Sequence, residues 1–276
     1  MIDYHMHTTL CGHATGKMEE YVERAIQLGL DEIGFSGHFP YPPGFDPPAP
    51  DCVIPEQLYD TYLQETARLR ETYAERIKIR IGSEFDYLGP DNSYHPLNEA
   101  RRFGLDYCLA SVHIVDGVIV DYSPEHLLAG LDRFAGGIDG VYERYYETLL
   151  EMVSNEYCTI VGHLDLVKKF NSLSGLTPKH DHGSLVNEIL DRIAETGLVL
   201  EINSSGLDRP CREQYPGFGI LERAVARGIR LTLGSDAHAP EEVGRHFAQV
   251  RKLLKQLGVT QLVSFDRLEA IPYEIK

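Results

Sequence analysis

Basic residues are the scarce charged class in this 276-residue chain: 26 Lys and Arg stand against 42 Asp and Glu, a formal net charge of −16. No Lys/Arg-rich run offsets the imbalance locally, so the field of the molecule repels polyanions and nucleic-acid binding is disfavoured. No apolar run approaches the ~18 residues of a membrane span. Cysteine is sparse, and the five present (Cys11, Cys52, Cys108, Cys158, Cys211) form no CxxC pair. With no basic-then-apolar pattern at the N-terminus, the expectation is free thiols in a reducing cytoplasm. One alternative concerns Cys11, which lies inside a histidine cluster and has the character of a soft metal ligand. Linker-like stretches are also missing, so residues 1–276 read as a single domain. With 43% hydrophobic and 25% charged residues, that domain has material for a sizeable core.

What is present is a repeated alternation of short β-rich runs with longer helical patterns. The runs are MIDYH, EIGFSGH, IKIRIGSE, YCLASVH, TIVGHLD, LVLEINS and RLTLGSDAH. Between them lie amphipathic segments such as KMEEYVERAIQLG, with Met18, Tyr21, Val22, Ala25 and Ile26 at helical spacing and a stop at Gly29. HGSLVNEILDRIAETG repeats the design with Leu185, Ile189, Leu190 and Ile193. Seven strands alternating with helices predict an α/β fold of parallel βαβ units. An open sheet and a closed barrel both share that alternation. Six of the seven runs carry His, Asp or Glu at or just past the C-terminal end, and LVLEINS carries Asn203 there. A barrel gathers such ends around one site, whereas an open sheet strings them along an edge. The expected architecture is therefore a barrel, distorted because it has seven strands. The segment Pro40–Pro55, with seven prolines, is neither helix nor central strand and reads as a stiff loop walling the site after His38 or as a surface excursion.

Residues 5–13, HMHTTLCGH, hold three histidines. An HxH pair at a strand end puts both side chains on one face, because strand side chains alternate. The same spacing recurs in KHDHG, but no strand delivers His180 and His182 to the barrel mouth, and these are expected to be solvent-exposed. Accumulation makes the difference: His38, Glu84, His113, His163, Asp236 and His238 follow later strands and join His5, His7 and His13. So many ionisable groups are costly to bury together without cations. Neutral imidazole and carboxylate suit borderline divalent metals such as zinc, manganese and iron. Nine ligands exceed one ion, and three ions with Glu84 bridging two fit the number.

The ordered set HMHTTLCGH, GFSGH, IGSEF, ASVH, GHLD and GSDAH, spanning residues 3 to 238, resembles the PHP (polymerase and histidinol phosphatase) superfamily, and most of all its histidinol-phosphate phosphatases. The resemblance implies a distorted (β/α)7 TIM-like barrel with a trinuclear centre. Carried over by motif, His5, His7, Glu84 and Asp236 would hold the first metal, Glu84, His113 and His163 the second, and His13, His38 and His238 the third. It also implies hydrolysis of L-histidinol phosphate, late in histidine biosynthesis.

Clustered metals beside a water point to hydrolysis of a phosphate monoester, a small phosphorylated metabolite whose non-bridging oxygens can each face a cation. The expected nucleophile is a metal-bridging hydroxide, with Glu84 in the bridge and Asp236 or His238 assisting proton transfer. Arg209 is the first candidate for gripping phosphate, with Lys168 and Lys169 next. Asn203 and Asp165 are candidates for orienting ligands, and Asp86, Tyr87, Asp121 and Tyr122 for receiving a cationic amino alcohol. The rivals are a PHP phosphoesterase for another small phosphate ester or nucleotide, an amidohydrolase, and a non-enzymatic polymerase module. Glu84 standing where amidohydrolases place a carboxylated lysine argues against the second, and the full ligand set against the third.

Overall fold

The computed structural model describes residues 1–48, 52–90 and 95–275. In chain order the strands are β1 (Ile2–Asp3), β2 (Glu32–Phe35), β3 (Lys78–Asp86), β4 (Tyr107–Ser111), β5 (Ile114–Val115), β6 (Val118–Ile119), β7 (Ile160–Val161), β8 (Val199–Asn203), β9 (Arg230–Gly234), β10 (Gln261–Asp266) and β11 (Glu269–Glu274). The helices are α1 (Met18–Gln27), α2 (Glu56–Thr72), α3 (Pro96–Phe103), α4 (Pro124–Gly130), α5 (Ile138–Ser154), α6 (Gly183–Thr196), α7 (Phe218–Ala226) and α8 (Phe247–Gln256).

The seven expected runs form one parallel sheet in the order β1-β2-β3-β4-β7-β8-β9. Its two edges meet: Tyr4 N donates to Leu233 O at 2.8 Å, His7 N to Ala237 O at 2.9 Å and Ala237 N to His5 O at 3.2 Å. A nearly closed barrel results, with β1 and β7 reduced to two residues each. Helix α1 buries Met18, Tyr21, Val22 and Ala25 against the barrel, and Glu20 reaches back to the Lys17 backbone N–H at 2.6 Å to cap its start. The periodicity of α6 is equally visible, with Val186, Ile189, Leu190 and Ile193 buried.

Tyr107 fills the barrel interior. Its hydroxyl donates to Tyr4 O at 3.0 Å and Phe35 O at 2.9 Å, so the ring crosses β3 and β2 to reach β1. Gly34 and Gly82 make that crossing possible, since a Cβ at either would fall 2.4 or 2.3 Å from the ring or its oxygen. Below it, the antiparallel β10–β11 hairpin seals the N-terminal mouth: Phe265 N donates to Tyr4 OH at 2.9 Å, and Arg80 bridges Glu32 and Asp266. This hairpin and the small β5–β6 hairpin lie outside the sequence expectation. The core they complete is made by closure of the barrel, which local periodicity does not encode. Among the described residues no helix is long and apolar enough to cross a membrane.

Candidate metal centre

All nine candidate ligands arrive at the C-terminal rim. His5 and His7 follow β1, His38 follows β2, Glu84 is on β3, His113 follows β4, His163 follows β7, and Asp236 and His238 follow β9. Glu84 is the hub. Its Oε1 lies 3.0 Å from His163 Nε2 and 3.6 Å from His113 Nε2, and it accepts the Ser111 hydroxyl at 2.5 Å. Its Oε2 lies 3.1 Å from His5 Nε2, 3.5 Å from His7 Nε2 and 3.4 Å from His38 Nδ1. Asp236 Oδ1 faces His7 Nε2 at 3.3 Å, while Oδ2 is held by Asn203 Nδ2 at 3.3 Å and Ser205 Oγ at 3.2 Å. The Asp236 backbone takes φ +53°, a left-handed conformation that a side chain adopts at a cost. Arg245 and His238 Nδ1 both hydrogen-bond its carbonyl, fixing that turn. His13, on the outer side, is 4.8 Å from the His238 ring and 5.5 Å from His38.

Four overlapping groups have donor atoms mutually within 4.8 Å: His5–His7–Asp236, His5–Glu84–His163, His7–His38–Glu84 and His7–His13–His238. Their chemistry fits divalent metals. The Nε2 atoms of His5 and His7 face each other at 3.1 Å, and His38 Nδ1 is buried with no hydrogen-bond partner. Without a cation these nitrogens have nothing to direct their lone pairs toward. Burial pushes His7 down to about 3, aided by His238, and lowers His38 and His238 too, so these rings are neutral. Burial also opposes charge on Glu84 and Asp236, but the surrounding histidines outweigh it and hold both well below the ordinary carboxylate range. On His113 burial loses to Asp86 and Glu84, which push it up to about 10. His5 is likewise raised, against burial, by Glu201, Glu84 and Asp236.

A PHP domain profile matches residues 3–205. The chain belongs to the PHP family. It is 35% identical over 94% of its length to a Deinococcus radiodurans protein named "Probable histidinol-phosphatase", covering 94% of that protein. To the histidinol-phosphatase of Bacillus subtilis it is 32% identical, over 88% of this chain and 95% of the relative. The crystal structure of histidinol phosphate phosphatase from Lactococcus lactis, complexed with zinc, L-histidinol and phosphate, superposes with a TM-score of 0.76 at 26% identity, covering 98% of each chain.

The mouth of this PHP barrel is a cavity of about 370 Å³ lined by all the candidate histidines except His5 and by acids, together with Tyr41, Cys52, Ile114, Ile119, Tyr122, Leu166, Lys169, Arg209 and Tyr215. Tyr41 and Cys52 come from the proline-rich loop, so its described part does wall the site; residues 49–51 of it lie outside the described residues. Arg209 is half-buried on the wall, and its guanidinium has no partner among the described residues. Lys169 also lines the cavity, but its Nζ bonds Asp121 Oδ2 at 3.0 Å and Asp121 O at 2.7 Å. Lys168 does not line it. That ammonium is buried behind the wall between Asp165 and Glu213, each at 2.8 Å, which corrects the expectation of a phosphate contact. Asp165 is spent on Lys168 and on Gly217 N at 2.9 Å rather than on orienting a ligand, whereas Asn203 does hold Asp236.

Of the acids and tyrosines considered for an amino alcohol, Asp86 is engaged by His113 Nδ1 and Asp121 by Lys169. Tyr87 is buried away from the cavity, and Tyr122, 62% exposed, remains open on the rim. Cys11 sits behind His7, its Sγ 4.0 Å from His7 Nδ1, with burial pushing the thiol up to about 11, and it belongs to none of the four donor groups. His180 is exposed as expected; His182 is instead half-buried, stacked on Tyr142 at 5.6 Å, and both lie away from the site. Sequence reasoning passes over Glu201. Its signal was an acid in the middle of VLEIN, a strand in which every residue is buried.

Proposed function

We propose that this chain is a divalent-metal-dependent phosphomonoesterase that hydrolyses L-histidinol phosphate to L-histidinol and phosphate in histidine biosynthesis. The observation that carries the reading is the gathering of seven imidazoles and two carboxylates at one rim of the barrel, all but His5 lining a single cavity, with a guanidinium on its wall that has no partner among the described residues, in a chain 32% identical to a histidinol-phosphatase. The proposed centre holds three ions of zinc, manganese or iron. His5, His7, Glu84 and Asp236 take the first, Glu84, His113 and His163 the second, and His13, His38 and His238 the third. Of the proximity groups, His5–His7–Asp236 falls within the first set, while the other three each join residues of two sets through His5 or His7, and His113 belongs to none.

Bound there, the ions supply a lowered water pKa and neutralise charge on the phosphoryl oxygens. The residues do the rest. Arg209 grips two non-bridging oxygens with its fork of N–H donors. Asp236, kept ionised, accepts the proton of the attacking water at its carboxylate and returns it to the departing alcohol oxygen. With His238 Nδ1 3.1 Å from the Asp236 carbonyl, the other ring nitrogen is left for a ligand role. Ile114, Ile119, Leu166 and Tyr215 give the imidazole of the substrate an apolar wall that excludes water. The proposed setting of the reaction is the cytoplasm, a reading supported by five cysteines with no CxxC pair.

The test is phosphate release from L-histidinol phosphate and, in parallel, from an aryl phosphate after reconstitution with zinc, manganese or iron. Preferred turnover of histidinol phosphate is expected. Inertness toward it alongside strong turnover of another ester would shift the assignment to a different phosphoesterase.

A further inference from the structure

Glu201 is 1% exposed, lies at the centre of β8, and has both carboxylate oxygens committed. Its Oε1 is 2.6 Å from His5 Nδ1, and its Oε2 accepts the His163 backbone N–H at 2.7 Å. We infer that Glu201 is a positioning residue for the metal centre, fixing the ring and tautomer of His5 through its side chain and the turn carrying His163 through its main chain. An ionised carboxylate only accepts, so His5 Nδ1 keeps its proton toward Glu201, and Nε2 is the nitrogen left to give its lone pair to a cation held among His7, Glu84 and Asp236. The space for this arrangement is prepared on the neighbouring strand. A Cβ at Gly234 would fall 2.0 Å from Glu201 Oε1 and 2.6 Å from His5 Cβ, so only glycine lets the carboxylate lie across β9 to reach β1.

Glu201→Gln separates this role from packing. The glutamine amide has the same shape but one acceptor end and one donor end. If the carbonyl takes His163 N–H, the amide NH₂ faces His5 Nδ1 and drives the proton to Nε2, where it blocks the metal. If the amide is turned over, His163 N–H loses its acceptor.

This inference rests on the metal-centre reading above, and titration of the metal-stripped full chain with zinc against a competing chelator tests both. Failure of the unmodified chain to bind zinc would sink the metal reading itself. If the unmodified chain binds, Glu201→Gln is expected to weaken zinc by about 10–100-fold. In a His5→Ala background the same change should cost less than about threefold, since with His5 gone the glutamine is free to keep its carbonyl on His163 N–H. Gly234→Ala, whose Cβ would meet both Glu201 Oε1 and His5 Cβ, should lose at least as much. Unchanged zinc affinity in Glu201→Gln, or an equal loss with and without His5, would overturn the positioning role.

Discussion

Glu84 divides its two oxygens among five histidines. Deleting that carboxylate removes the shared anion of a largely buried cluster and leaves imidazoles facing one another. Glu84→Ala is therefore expected to lose bound metal and phosphate release together, checked by metal analysis beside the activity assay. Arg209 predicts the opposite pattern. A hydrogen bond to a charged group is worth about 1.5–3 kcal/mol, so Arg209→Ala should lower kcat/KM by about 10–100-fold with metal content intact, and Arg209→Lys should recover only part because an ammonium lacks the fork. At this scale the candidate ligands were legible because all but His13 sit at or just past the end of a β-rich run. Lys168 misled because an ammonium one residue from Lys169 in sequence points to the other side of the wall, where Asp165 and Glu213 claim it. Glu201 was hidden because its partner, His5, is 196 residues away.

The strands themselves were legible from short apolar runs between amphipathic stretches, and all seven pair in parallel as their alternation with helices requires. Their packing is less visible. Gly82 looks like a strand weakness until Tyr107 is seen lying over it, with a Cβ there 2.3 Å from the ring. Gly82→Ala is expected to overpack this point and destabilise by about 1–3 kcal/mol, read as a lower urea midpoint with unchanged slope. An unchanged midpoint would show that the tyrosine has room to move. The β10–β11 hairpin belongs to the same class of feature. It is held by Tyr4, Arg80 and Glu32, residues that face it only once the barrel has closed.

Over the whole molecule, a net charge of −16 and a cluster of buried donors make bound cations part of stability as well as of chemistry. Ligand at 100 times its Kd stabilises by about 2.7 kcal/mol, so chelation should lower the thermal midpoint and added zinc restore it. The pH dependence follows from His113, pushed up to about 10, and His5, also raised. Both carry protons near neutrality in the metal-free chain and must release them on binding. Proton competition therefore grows as pH falls, and the zinc-induced rise in melting temperature should be larger at pH 8 than at pH 6, with protons released in calorimetry at pH 7. Equal rises at both values would mean that metal does not displace those protons.

By itself the sequence determined the barrel class, the residues that gather at its rim and the kind of ion their donor atoms suit. Each depends on local rules: the period of a strand or helix, the residue at its end, the donor chemistry of a side chain. Tertiary structure alone decided which cation on the cavity wall is without a partner among the described residues, which acids are already taken, and which carboxylate lies against His5. Those are outcomes of competition between residues that share a neighbourhood only after the first and last strands of the sheet have joined, and no spacing along the chain records that meeting.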